Sequence, residues 1–224
     1  MEETTVYAAR IVLFCVCLML SLPSLAANPQ IEFRTSQGRF VVELYPDKAP
    51  TTVANFLQYV NSGFYEGTIF HRVVDSFVIQ GGGLTPDLQR KPTLEPIPNE
   101  ANNGLKNEPG TLAMARALKP DSATSQFFIN LADNKTLNYY RPEPALMGYC
   151  VFGKIIRGMD VAQRIGRIPT QVTGKLTELP REIVMIEKAV VLETPIIADQ
   201  QMDDANKATS SNSTKSSKKG KTRG

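Results

Sequence analysis

The chain has 224 residues, a formal net charge of +3, one histidine, three cysteines and no tryptophan. Six basic groups (Lys207, Lys215, Lys218, Lys219, Lys221, Arg223) fall in residues 206–224, where there is no acid, and setting them aside turns the charge of +3 into −3. The body of the chain is therefore not a basic protein, and, apart from Cys15 and Cys17 near the start, one histidine and one cysteine cannot supply a structural zinc site.

In chain order, the apolar run over residues 11–22 is followed by Pro23 and by Ser24, Leu25 and Ala26 in a small-x-small pattern. This reads as a secretory signal peptide over residues 1–26. The run is shorter than the roughly 18 apolar residues a membrane span requires, and Arg10 is the only basic residue in a start that also holds Glu2 and Glu3. An uncleaved anchor is the alternative. Cleavage after Ala26 would place the mature chain in the periplasm or outside the cell, with Cys150 as its only cysteine and no internal disulfide. Set between Tyr149 and Val151, Cys150 reads as a small buried hydrophobe rather than a reactive thiol.

Residues 31–36 and 39–44 alternate β-branched and aromatic side chains with polar ones around Gln37 and Gly38, which predicts a hairpin. Pro46, Asp47 and Pro50 end it, and Thr52, Val53, Phe56, Leu57 and Val60 then recur at helical spacing until Gly63. Further strands are expected over 68–74, 77–80, 111–115, 127–130 and 151–156. A second helix is expected after Gly158, with Val161, Ala162 and Ile165 inward, and a last strand over 183–192. Residues 85–109, rich in Pro, Asn, Glu and Lys, read as a long ordered loop. Residues 27–198 thus form one domain with a sizeable core. Residues 199–224 lack the apolar groups to offset the entropy of ordering and read as a disordered basic tail. Several short strands with two helices suggest an antiparallel barrel or a sandwich, and pattern alone does not choose.

Two segments are dense in chemistry. Residues 70–83, FHRVVDSFVIQGGG, set Arg72 inside apolar strand sequence. Alternation puts it on the face of Phe70 and Val74, where a cation needs a partner or a task. Residues 111–131, TLAMARALKPDSATSQFFINL, again mix small, aromatic and amide side chains. With GFYEGTIFHR before them and VFGKIIRGMDV at 151–161, these segments resemble the cyclophilin family of peptidyl-prolyl isomerases over residues 31–193. The pairing of GYxVFGK with ARxxxxDSATSQFFIN is similar to the bacterial periplasmic branch, the rotamase A type. The resemblance implies a mainly β fold, a closed eight-stranded antiparallel β-barrel capped by two α-helices. It implies catalysis of X-Pro bond rotation in proline-containing polypeptides during folding of exported proteins, by a monomer without cofactor or metal.

The resemblance also assigns roles. Arg72 matches the catalytic arginine, which donates toward the prolyl nitrogen as it pyramidalises. Phe77, Val78, Phe128 and Leu137 match the proline-ring pocket, with Ala115 in the same substrate-binding set. The backbone of Arg116 matches the groups that hold the residue before proline, and Gln80 and Gln126 match the amides that hold Arg72 and the substrate carbonyl. Three positions depart from the eukaryotic pattern: Tyr149 stands for the pocket histidine, Thr136 for the drug-binding tryptophan and Arg116 for an asparagine. Only weak binding of cyclosporin is therefore expected, and Tyr149 can still pack and hydrogen-bond. His71 invites a general-base role, but isomerisation moves no proton. As a strand neighbour of Arg72 it is expected to face the other way, in a structural role.

The chemistry suits this inventory. Rotation about the amide faces a barrier of about 18–20 kcal/mol because resonance must be lost, and a catalyst need only bind the twisted state more tightly than the planar ones. Without the resemblance, Phe77, Phe128 and Leu137 read as core residues and Arg72 as half of a surface ion pair. A second class of function is a chaperone or adaptor that holds proline segments with little turnover. A third makes the basic tail a contact for nucleic acid, which its lack of aromatics disfavours. Asn134 with Thr136 and Asn212 with Thr214 are formal glycosylation sequons.

Overall fold

The computed structural model describes residues 27–196; the leader expected over 1–26 and the tail expected over 199–224 lie outside them. The expected hairpin forms from β1 (Gln30–Thr35) and β2 (Gly38–Leu44). Helix α1 (Pro50–Asn61) opens on proline, whose missing N–H is no loss in a first turn. The Glu100 carboxylate then accepts from the N–H groups of Thr51 and Thr52 at 3.1 and 2.8 Å and from the Thr52 hydroxyl at 2.6 Å. A residue of the long loop thus caps a distant helix, where a negative charge meets free N–H groups. The same loop is pinned by the Leu94 N–H on the Tyr59 hydroxyl and by an Ile97–Ala123 bridge. It is ordered, as its composition suggested.

The remaining elements are β3 (Thr68–Val74), β4 (Val78–Gly81), β5 (Thr111–Met114), β6 (Phe127–Asn130), β7 (Val151–Arg157), α2 (Met159–Gly166), β8 (Thr170–Thr173), β9 (Leu176–Pro180) and β10 (Val184–Val191). Eight strands close in the order β1-β10-β3-β4-β6-β5-β7-β2, every pair antiparallel. This decides for the barrel over the sandwich. An eight-stranded barrel is just wide enough for its own side chains to fill it. Here Phe33, Phe40, Phe70, Phe127 and Phe152 are buried in one cluster with Phe56 from α1 and Val161, Ala162 and Ile165 from α2. Phe33 stacks on Phe40 at 5.0 Å between ring centres, and Phe56 meets Phe152 at 4.9 Å.

One element lies outside the expectations. Residues 170–180 form a separate two-stranded hairpin, β8 with β9. Val172 is 71% exposed, so no buried face marks this hairpin by periodicity. The available signal was the two-residue turn Gly174-Lys175 between Val172-Thr173 and Leu176-Thr177, with Gly174 at φ +58°. Leu179 and Leu176 seat the hairpin against Ile69 and Leu84 on the outside of β3 and the loop that follows β4.

Candidate active site

The site begins with a break in alternation. Strand β3 pairs with β4 as Phe70↔Gly81 and then Arg72↔Gln80, so His71 is one residue too many and the strand bulges there. Phe70 and Val73 both stay in the main core, while Arg72 turns to the outer surface. The expectation that Phe70, Arg72 and Val74 share a face is corrected by this bulge. So is the expectation that His71 and Arg72 point apart: both border one cavity of about 270 Å³ beneath β9.

Beside Arg72 the outer faces of β4, β5, β6 and β7 present a second apolar cluster, Val78, Ala113, Phe128 and Val151, against which Phe77, Ala115, Leu137 and Tyr149 pack. Each of these strands turns alternate residues to the interior and to this cluster, since Ile79, Leu112, Phe127 and Phe152 belong to the main core. The result is an open cup of about 250 Å³ lined by Arg72, Phe77, Val78, Gln80, Ala115, Arg116, Phe128, Leu137 and Tyr149. Gln126, the remaining residue singled out from sequence, borders an adjoining cavity of about 270 Å³ with Gln80, Arg90 and Thr124.

A polar lattice that sequence reasoning missed fixes the cup's rim. The Phe77 carbonyl accepts from the Leu131 N–H at 2.8 Å and the Asn134 amide at 2.9 Å. Asn134 also donates to Asn130 at 2.7 Å, and Asn130 donates to Asn107 at 3.1 Å. Asn107 in turn donates to the Leu137 carbonyl at 3.0 Å, which also takes the Tyr149 N–H at 2.9 Å. Phe77, Leu137 and Tyr149 are thereby held by buried amides with their bonds made. The same bonds occupy the Asn134 side chain, which is 7% exposed, so this sequon is closed in the folded protein. Asn212 lies outside the described residues.

Opposite, Tyr149 meets Phe128 edge-on at 5.5 Å, and the Arg116 guanidinium lies over the Tyr149 ring at 4.8 Å while its Nε donates to the Gly148 carbonyl at 2.9 Å. Arg116 thus folds its side chain back onto the wall. Pairing along this edge ends with the Ala115 N–H on the Gln126 carbonyl at 3.0 Å. Beyond it, among the described residues, the Arg116 N–H and carbonyl enter no hydrogen bond and are open to a ligand strand. Gln80 Nε2 donates to Gln126 Oε1 at 3.0 Å, and neither glutamine carbonyl oxygen accepts from Arg72. The ionic partner of Arg72 is Glu178 of β9, at 3.6 Å, and its guanidinium carbon lies 5.8 Å from the centre of the Phe77 ring. Among the described residues, Arg72 thus makes no hydrogen bond to Gln80 or Gln126, the two amides expected to hold it and the substrate carbonyl. Gly83 makes room for Gln126: a Cβ on it would fall 2.5 Å from the Gln126 Cγ.

Two titratable groups sit close by without the chemistry of a base or nucleophile. Burial pushes the His71 imidazole down from its ordinary 6.5 to about 4, against a bond to the Ile69 carbonyl and with help from the charges of Arg90 and Arg72. Its Nδ1 is buried without a hydrogen-bond partner. Burial likewise lifts the Cys150 thiol to about 11, beside the Thr52 hydroxyl at 3.5 Å. Both are neutral at pH 7. The surface offers an apolar cup, one cation at its rim and an open backbone edge, a set suited to gripping a ring and a twisting amide.

Comparison with known proteins gives the same class. The model of the cyclophilin type peptidyl-prolyl cis-trans isomerases matches residues 30–191. Peptidyl-prolyl cis-trans isomerase B of Escherichia coli is 51% identical over 163 residues, 73% of this chain and 99% of the relative. Isomerase A of Dickeya dadantii is 44% identical over 188 residues, 81% of this chain and 97% of the relative. Among solved structures, a cyclophilin type isomerase of Cryptosporidium parvum, crystallised in the presence of the dipeptide Ala-Pro, aligns at a TM-score of 0.63 and 29% identity, covering 74% of this chain and 99% of that one. The chain belongs to the cyclophilin family and is a peptidyl-prolyl cis-trans isomerase.

The state of His71 makes a prediction about pH. Its folded pKa lies below its unfolded one, so the unfolded chain binds the extra proton first. Stability is full above about pH 6.5 and is expected to fall as pH drops toward about 4, by an amount on the order of 3 kcal/mol from this group. Denaturant titrations across that window should show a shallower loss in His71→Gln. Turnover, by contrast, should vary by less than about twofold between about pH 5.5 and 8, because no proton is transferred. A pH–rate curve that breaks near pH 4 while the protein stays folded, and that loses the break in His71→Gln, would assign His71 a part in the chemistry.

Proposed function

We propose that the cup is the proline-binding site of this isomerase and that Arg72 is its catalytic residue. The observation that carries the reading is the meeting of three features at one place: the apolar cup, the Arg72 guanidinium on its rim and the free N–H and carbonyl of Arg116. The prolyl ring sits on Phe77, Val78, Phe128 and Leu137, with Ala115 and Tyr149 closing the walls. The residue before proline pairs with the Arg116 backbone as an added strand would. Gln80 and Gln126, bonded to each other, face the peptide on the side of the second cavity.

In the planar amide the prolyl nitrogen has no lone pair to offer, and in the twisted state it has one. A donor beside it therefore binds the twisted state and ignores the ground state, which is what lowers the barrier. A charge-assisted hydrogen bond is worth roughly 1.5–3 kcal/mol, or on the order of 10- to 100-fold in rate. The remainder comes from holding the ring while the preceding carbonyl turns.

We further propose that the chain acts on exported polypeptides in the periplasm or outside the cell. The run over residues 11–22 and the Ser24-Leu25-Ala26 site support this, as does a family match that begins only at residue 30. Weak affinity for cyclosporin belongs to the same reading, since Thr136 stands exposed beside Leu137 where a tryptophan would add a large apolar surface and an N–H donor.

Arg72→Ala is expected to lower peptide turnover at least tenfold with an unchanged melting temperature, and Arg72→Lys to recover little of it, because the ammonium lacks the planar fork. Near wild-type turnover in the lysine variant, in a proline-peptide isomerisation assay, would remove the guanidinium from the mechanism. For export, expression of the full chain in a bacterial host should give a periplasmic form whose amino terminus, read by sequencing, is Ala27; a cytoplasmic product starting at Met1 would overturn that part. Thr136→Trp should tighten inhibition by cyclosporin while turnover changes by less than about threefold, the cup being untouched; unaltered inhibition would place the determinant at Tyr149 or Arg116.

A further inference from the structure

We propose that Glu178, on the β8–β9 hairpin, is a positioning residue for Arg72: its carboxylate holds the Nε edge of the guanidinium and leaves the rest of the fork to the proline cup. The inference rests on the reading of Arg72 as the catalytic residue. Arg72 stands between two cavities. It lines the proline cup on one side and, on the other, the hollow beneath β9 where Glu178, Thr177 and Leu176 form the wall. Glu178 Oε2 lies 3.6 Å from Arg72 Nε, and the Thr177 hydroxyl donates to the same oxygen at 2.6 Å. The carboxylate is thus itself held. Its strand is anchored too, for the next residue, Leu179, is 5% exposed and packs with Ile69 and Leu84 against the barrel.

Among the described residues no other charge pairs with the guanidinium and no hydrogen bond reaches it: Gln80, its cross-strand neighbour, donates to Gln126, and its carbonyl oxygen takes nothing from Arg72. The Phe77 ring on the cup side, 5.8 Å from the guanidinium carbon, limits its swing without fixing its rotation. A planar fork has donors on more than one edge. The Glu178 charge, 3.6 Å from Nε, draws that edge of the fork toward β9 and leaves the other edge to the cup. The Arg72 and Glu178 side chains are 35% and 39% exposed, and ion pairs as open as this contribute little to stability. The contact matters for direction, because a donor turned away from the prolyl nitrogen is lost to the twisted state.

The test is steady-state isomerisation of a proline peptide, with kcat and KM for the cis form measured separately, on the full mature chain. Glu178→Gln should lower kcat about three- to tenfold, with KM within about twofold and the melting temperature within about two degrees of wild type. Glu178→Asp, which keeps the charge, should recover at least half of the loss, and Thr177→Val should show a smaller loss of the same kind. In an Arg72→Ala background, Glu178→Gln should change kcat by less than about 1.5-fold, since there is no guanidinium left to place. A kcat within about 1.5-fold of wild type in Glu178→Gln, or an equal loss in both backgrounds, overturns the proposal while leaving Arg72 catalytic. Full turnover in Arg72→Ala alone would overturn both readings.

Discussion

A barrel of eight strands is just wide enough inside for side chains to fill it, and in this protein aromatic rings from β1, β2, β3, β6, β7 and α1 do so. A substrate as large as a polypeptide segment must therefore be handled from outside. That requirement explains why the outer faces of β4, β5, β6 and β7 carry Val78, Ala113, Phe128 and Val151 where a soluble sheet would carry polar groups. The strands are apolar on both faces in this sector because one face makes the fold and the other makes the cup.

Moving a cation onto that outer face without disturbing the core takes one inserted residue. With His71 bulged out of register, Phe70 and Val73 both keep their places in the interior and Arg72 is released to the rim. The bulge also leaves His71 buried beside two arginines, where its charge would be repelled and poorly solvated, so it stays neutral. The lone buried histidine beside Arg72 is thus a consequence of how that arginine is presented. Burial similarly removes Cys150 from chemistry.

The rim is held in two styles. On the Phe77 and Leu137 side the restraint is a chain of buried asparagine side chains linked by bonds of 2.7 to 3.1 Å, which suits a wall that must keep its shape. On the Arg116 and Tyr149 side it is a guanidinium laid over a phenol ring, which keeps a long side chain off the open backbone edge. Arg116 thereby leaves its own N–H and carbonyl unobstructed.

Much of this was legible in the order of residues. Helices α1 and α2 and the barrel strands were expected within a residue or two of where they lie, because alternation, helical spacing, Pro50, Gly63 and Gly158 act over a few neighbours. The cup residues were recognisable as a set only through the family resemblance: most fall in the two dense segments, Leu137 and Tyr149 lie beyond them, and Phe77, Phe128 and Leu137 by themselves read as core. What stayed hidden depends on partners far apart in the chain. A bulge exists only relative to the strand across from it, so the face of Arg72 could not be read from β3 alone, and alternation gave the wrong one. The asparagine lattice joins residues on the loop before β5, on β6 and after it, each an ordinary polar residue until the barrel closes around them. Glu178 reaches Arg72 from a hairpin that lies outside the barrel's own sheet, and Gln80 turns to Gln126 instead. Local sequence determined which side chains stand on which strands; the closure of the barrel decided which of them meet, since only closure brings β3, β6 and the β8–β9 hairpin to one surface.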